Sequence, residues 1–365
     1  ALAASLWTSW TRGGAGAVAG GAGPVRLSIP LPKGDLVYAP NLGPVAISPD
    51  GATVVYSAIR GGVAQLFARS LGDAAPRVLP GTDGGRSPFF SPDGRWIGFL
   101  TPGKVKKIAA DGAALQVLVD IGDGRGATWG PDDFVYYAPT NIASIWRVPS
   151  GGGKAEEVTK VDRAAGEISH LYPRVTPDGG TLLFTVRTGP GNDERRLVAQ
   201  DLKTGQRREL LPGVTTPRFT STGLLVYSRL DALFAAPWQG AALVPGGVPV
   251  SLPETPRSEN EAVADYDLSN NGTLVFVPGG PRRRQNRIVW AGAGRADDVL
   301  SLPEREYESV VVSPDGRRAV AQVLDGTVGL WMLDLERRAL TPFLANGSSR
   351  QAPGWTADGQ RGSEE

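Results

Sequence analysis

Eight four-residue turns recur along this sequence at a nearly constant interval, and no other feature restricts its fold so strongly. Ser48-Pro49-Asp50-Gly51 returns as Ser91-Pro92-Asp93-Gly94, Thr176-Pro177-Asp178-Gly179 and Ser313-Pro314-Asp315-Gly316. Altered copies are Gly130-Pro131-Asp132-Asp133, Thr220-Ser221-Thr222-Gly223, Ser269-Asn270-Asn271-Gly272 and Thr356-Ala357-Asp358-Gly359. Their starts lie 39 to 49 residues apart, with a mean of 44. The chemistry is that of a tight turn: Pro fixes φ at the second position, Asp bonds its own backbone, and Gly supplies positive φ at the fourth. A large apolar residue precedes each copy, from Ile47, Phe90 and Trp129 to Val312 and Trp355, and β-rich stretches such as 53–57, 96–100 and 182–186 follow. No helical periodicity persists over ten residues, so each repeat reads as four short strands joined by turns.

A repeat of this length matches one four-stranded blade of a propeller. The expected fold is therefore all-β: a β-propeller of four-stranded antiparallel blades, seven by the repeat count, with six or eight allowed. The 49 Gly and 30 Pro belong with so many turns. Residues 25–32 read as an orphan fourth strand that could close the ring, and residues 351–355 as an orphan first strand. The propeller is expected over residues 24–365 with its last blade truncated and native sequence continuing beyond Glu365. The chain opens on Ala1 and its single Met is Met332, so a fragment or processed form is expected. Residues 1–10 are apolar with Trp7 and Trp10 near their end, and residues 13–23 are rich in Gly and Ala. Residues 1–23 are thus expected to be the end of a membrane helix, or a leader, followed by a linker.

Composition removes most chemistry. Without Cys and with one His, disulfides, thiol catalysis and zinc sites needing two such ligands are excluded, and no cofactor or metal is expected. A formal charge of +1 gives no global field for nucleic acid or an anionic membrane. A hydrolase triad would need His170, yet no G-x-S-x-G elbow is present. Residues 122–126 read as a turn rather than a phosphate loop, Asp265-x-Asp267-x-Ser269 lacks the Gly and Glu of a calcium loop, and the basic run from Pro281 to Arg287 reads as a hairpin loop.

Propellers bind ligands where the loops of all blades converge on the central channel. The residues just before the first strands are then the candidates for the channel mouth: Arg86, Arg125, His170, Glu308 and Arg350. Three Arg and one His against one Glu fit a protein, a peptide or a small anionic ligand. Arg174, Arg218 and Asp267 share one position within the first strand, two residues before the turn, and are read as contacts between blades.

The repeated [ST]-P-D-G followed by an apolar strand resembles the TolB-type, WD-repeat-like propeller repeat over roughly residues 25 to 360. Three phrases resemble the C-terminal propeller region of bacterial membrane-spanning serine/threonine protein kinases: Pro88-Phe89-Phe90-Ser91-Pro92-Asp93-Gly94-Arg95-Trp96-Ile97-Gly98-Phe99, Gly126-Ala127-Thr128-Trp129-Gly130, and Gly166-Glu167-Ile168-Ser169-His170. That resemblance implies a cytoplasmic kinase domain, one membrane helix and an extracytoplasmic propeller in order, with this chain the non-catalytic sensor or interaction region tethered to the membrane. No kinase motif occurs in the chain itself. Similar propellers also cap prolyl-oligopeptidase-like peptidases or act as TolB-like periplasmic scaffolds, and these remain the alternatives.

Overall fold

The computed structural model of the chain describes residues 2–6, 26–38, 43–189, 194–229, 232–239, 244–245, 247–259, 263–279, 287–290, 298–303, 305, 307–323, 329–344, 354–356 and 362–363. The chain divides into two compact units, Ala1–Arg282 and Arg283–Glu365. All regular elements among the described residues are strands.

The repeated turn sets the local geometry. Gly51 N–H donates to Ser48 O at 2.8 Å, closing the turn. The Ser48 hydroxyl donates to Asp50 Oδ1 at 2.5 Å, and Thr53 N–H donates back to Ser48 Oγ at 2.9 Å. The Ser91 turn repeats these bonds at 2.9, 2.6 and 2.9 Å. Its fourth residue must be left-handed: Gly51, Gly94, Gly179 and Gly316 have φ between 70° and 76°, where a side chain would add strain.

In the first unit these turns join the first and second strands of six antiparallel sheets. The first sheet contains Val45–Ile47, Thr53–Arg60, Val63–Ser70 and Arg77–Val78, with Leu36–Val37 added at its edge. The second runs Arg86–Phe90, Trp96–Thr101, Lys104–Ala109 and Leu115–Asp120. Ala127–Trp129, Ser169–Val175, Val214–Phe219 and Tyr266–Leu268 begin the third to sixth.

Side chains from the two faces of each sheet fill the spaces between neighbours, and the apolar clusters follow one another around a circuit. Leu66 and Phe99 join the first and second sheets, Leu100 and Val135 the second and third, and Tyr136 and Phe184 the third and fourth. Leu197 and Tyr227 join the fourth and fifth, and Leu233 and Leu274 the fifth and sixth. Val275 and Tyr56 then return the sixth to the first. This is the packing of a β-propeller, whose sheets pair face to face radially. Each fully buried large apolar side chain contributes about 1.5–3 kcal/mol.

The sixth sheet reports how the chain seals itself. Its outer strands are Leu2–Leu6 and Arg26–Ile29, in the order Arg26–Ile29, Leu2–Leu6, Thr273–Phe276, Tyr266–Leu268. The expected fourth strand near residues 25–32 is thus a fourth strand. Where the sequence reading placed the end of a membrane helix or a leader, Leu2–Leu6 is extended, and Ala4 pairs with Val275 and with Leu27. Residues 7–25 lie outside the described residues. The stretches next in sequence, Val289–Trp290 and Asp298–Val299, are not part of this sheet and form a separate pair in the second unit. An open edge takes whichever strand reaches it, and here the N-terminal strand occupies Thr273–Phe276.

The second unit holds a four-stranded sheet, Tyr307–Val312, Arg318–Val323, Gly329–Asp334 and Ala339–Leu344, together with two strand pairs. The repeat count of seven, with six or eight allowed, runs along the whole chain; six sheets of the first unit share the circuit above, and the Ser313 repeat forms the sheet of the second. No helix among the described residues is long and apolar enough to cross a membrane.

Candidate ligand channel

The first strands of all six sheets line one cavity of about 240 Å³. The turn prolines Pro49, Pro92, Pro131 and Pro177 border it, and Val45, Phe89, Trp129 and Val263 supply apolar wall.

Four of these first strands share a distortion. Ser87, Tyr172 and Thr216 have φ of 49°, 54° and 50°, and Gly126 takes 92° at the equivalent place, four residues before the turn. In the second, fourth and fifth sheets the pairing register shifts there, the mark of a bulge. Pro88, Pro173 and Pro217 follow; a residue without N–H suits an edge strand at a bulge. The turned backbone finds a new partner, since Tyr172 N–H donates to Arg125 O of the neighbouring sheet at 3.0 Å. Non-glycine left-handed residues cost about 1–3 kcal/mol and concentrate at functional sites, which directs attention to the residues they position.

Two residues beyond the bulge, three charged side chains meet. Arg218 Nε donates to Asp267 Oδ1 at 2.6 Å, Arg174 Nη2 donates to the same oxygen at 3.2 Å, and Ile47 N–H donates to Oδ2 at 3.0 Å. Arg174 also donates through Nη1 to Thr128 Oγ1 at 3.3 Å. One carboxylate therefore ties together the first strands of the first, fourth, fifth and sixth sheets. Burial, then the charge of Arg218, lower the Arg174 pKa from 12.5 to about 10, with Asp267 opposing; the guanidinium stays charged at neutral pH. Tyr266, packed 5.5 Å from the Arg218 guanidinium, donates its hydroxyl to Thr216 O at 2.5 Å; burial pushes its pKa up to about 12, so it stays protonated.

Three of the five candidates named from sequence, Arg86, Arg125 and His170, fall elsewhere. Arg86 and Arg125 come together on one carboxylate, Arg86 Nη2 to Asp123 Oδ1 at 2.6 Å and Arg125 Nη1 to Asp123 Oδ2 at 2.5 Å. Burial raises the Asp123 pKa, but hydrogen bonds from the two guanidiniums outweigh it and hold the carboxyl below its ordinary value. His170 is fully buried, with Nδ1 2.7 Å from Thr159 Oγ1 and Nε2 2.9 Å from Glu167 Oε2. With a carboxylate facing Nε2, the proton belongs there and Nδ1 accepts from Thr159. The Thr159 hydroxyl is equally buried, so this nucleophile-like geometry has no access to a substrate. None of Arg86, Arg125 and His170 lines the cavity. Glu308 lies in the strand Tyr307–Val312 of the second unit, its side chain outside the described residues, and Arg350 lies outside them altogether.

Both carboxylates of the calcium-like segment are occupied by arginine: Arg257 Nε donates to Asp265 Oδ2 at 2.5 Å, and Asp267 serves Arg174 and Arg218. Most of the basic run, residues 281–286, lies outside the described residues.

No protein-family model and no curated protein matches the chain. Among solved structures it is similar to TolB from Acinetobacter baumannii, at 15% identity and a TM-score of 0.45, over 68% of this chain and 58% of that one. A Swd1 β-propeller domain from Myceliophteria thermophila is similar at 14% identity and a TM-score of 0.45, over 88% and 91%. A puromycin-hydrolyzing peptidase from Mycobacterium tuberculosis is similar at 16% identity and a TM-score of 0.45, over 86% and 55%. The match spans about three fifths of the length of the TolB structures, 58% of one and 62% of another.

Proposed function

We propose that this chain is a non-catalytic, ligand- or protein-binding β-propeller: a six-sheet ring in residues 1–282, sealed by its N-terminal strands, serving as the extracytoplasmic sensor region of a membrane-anchored serine/threonine kinase. The observation that carries the binding role is the cavity. Six first strands converge on it, and three consecutive sheets place fixed charges inside it among apolar walls. Against a hydrolytic role, the one imidazole is sealed between Thr159 and Glu167 and does not line the cavity. The kinase connection rests on the three sequence phrases around residues 88–99, 126–130 and 166–170.

Turnover decides between binding and catalysis. Purified chain incubated with peptide and ester substrates is expected to give no product above background; turnover that disappears in His170→Ala overturns the reading. The parent sequence decides among the wider assignments. A membrane helix preceded by a kinase domain supports the sensor, a G-x-S-x-G domain downstream the peptidase, and a cleavable signal peptide alone the scaffold.

A further inference from the structure

The cavity wall carries cationic groups whose bonding is incomplete. Two guanidiniums face one carboxylate, and Asp267 is the only acidic residue among the described residues that line the cavity, so one positive charge is left uncompensated there. Arg174 Nε is buried without a hydrogen-bond partner, and its Nη1 has only the long bond to Thr128. Arg218 commits Nε to Asp267 and Nη1 to Pro217 O at 3.0 Å, which leaves Nη2 without an acceptor among the described residues. Asp267 Oδ1 is shared between the two guanidiniums and Oδ2 is turned to Ile47 N–H. A largely desolvated guanidinium with N–H groups that the protein does not engage is satisfied best by a second anion, and its planar fork favours a carboxylate.

Space and lining narrow the ligand. A cavity volume of about 240 Å³ has room for a carboxylate carried on one ring or a short aliphatic chain. Phe89, Trp129, Val45 and Val263 offer that body an apolar surface, and a single surplus charge matches a monoanion.

We propose that the channel binds a small monocarboxylate between Arg174 and Arg218, with Asp267 as the fixed counter-charge that positions both guanidiniums and the apolar wall receiving the body of the acid. This rests on the reading of the chain as a binding propeller and names the ligand class and residues. A free acid and the C-terminus of a peptide present the same group.

Calorimetric titration of the intact chain with benzoate, neutral benzamide and inorganic phosphate tests the inference. Benzoate should bind at least tenfold more tightly than benzamide or phosphate. Arg218→Lys, which keeps the charge and loses the fork, should weaken benzoate at least fivefold, while Arg86→Gln leaves it unchanged. A tripeptide ending in Phe that displaces benzoate with a free C-terminus, and not when amidated, assigns the source to a peptide end; displacement by neither form assigns it to a free acid. Equal affinity for benzoate and benzamide overturns the inference, as does loss of binding in Arg86→Gln with Arg218→Lys intact. Crystals of the unmutated chain soaked in 4-bromobenzoate give a check that no folding defect can confuse: the bromine signal should lie in the cavity, and a signal only elsewhere refutes the site. Absence of carboxylate binding alongside retained binding of a protein partner defeats this inference and leaves the proposed function standing, whereas peptide turnover lost in His170→Ala defeats the latter.

Discussion

Removing the charge of Asp267 is the perturbation whose size the structure fixes best. The carboxylate is 11% exposed and its partners Arg218 and Arg174 are 20% and 24% exposed, so the cluster is mostly but not fully desolvated. Stripping one partner from a buried ion pair costs about 3–5 kcal/mol; the residual exposure brings Asp267→Asn below that range, to about 2–3 kcal/mol. Asn keeps an oxygen for Ile47 N–H. Asp267→Ala does not, and an orphaned buried donor adds about 1–3 kcal/mol, for a total near 4–5. At about 2 °C per kcal/mol for a domain of this size, the melting points should fall by about 5 °C and 9 °C. Urea unfolding followed by circular dichroism measures both variants. High chloride or sulfate should recover part of the Asn loss, because an anion can stand between the two freed guanidiniums. Equal losses in Asn and Ala, or losses below about 0.5 kcal/mol in both, would refute the argument that one buried carboxylate ties the sheets together.

Two further outcomes follow from backbone and titration. Gly316 and Gly126 are both left-handed, but a Cβ at Gly316 meets open space whereas one at Gly126 sits 3.0 Å from the Tyr172 Cα. Gly316→Ala should cost about 1 kcal/mol and Gly126→Ala at least twice that, measured by denaturant midpoint; equal costs would deny the close approach. Burial lowers the His170 pKa below 6.5, against the opposing Glu167 carboxylate and with Arg207 and Arg163 adding to the decrease. The folded state then binds fewer protons than the unfolded one, so this contribution is complete above pH 6.5 and is lost as pH falls below it toward the depressed value. The pH slope of stability below 6.5 should flatten in His170→Gln; stability that rises on acidification in the parent chain would contradict the assignment.

The fold was legible because the repeated turn encodes it through bonds local to each copy: hydroxyl to Asp, amide to hydroxyl, glycine at positive φ. Nothing local says which strand seals an open edge, and here the distant Leu2–Leu6, not the next strand in sequence, Val289–Trp290, pairs with Thr273–Phe276. The site was half legible. The shared offset of Arg174, Arg218 and Asp267 marked them as a set, and that offset is the one facing the cavity. Arg86, Arg125 and His170 were placed at the channel mouth as loop residues just before the first strands, but Arg86 and His170 lie within those strands. The bulges at Ser87 and Tyr172, and the left-handed turn at Gly126, change the direction of the chain there, and the residues before them do not line the cavity. Composition does not announce a left-handed Tyr or Thr, and the only sequence trace is the proline after Ser87, Tyr172 and Thr216.

Hydrogen exchange of the full chain, read by mass spectrometry with and without saturating benzoate, bears most directly on the claim that binding belongs to the channel. Added protection is expected in the first strands Arg86–Phe90, Ser169–Val175, Val214–Phe219 and Tyr266–Leu268, with outer strands such as Leu115–Asp120 unchanged. Protection confined to outer strands, or none at all, would contradict the account.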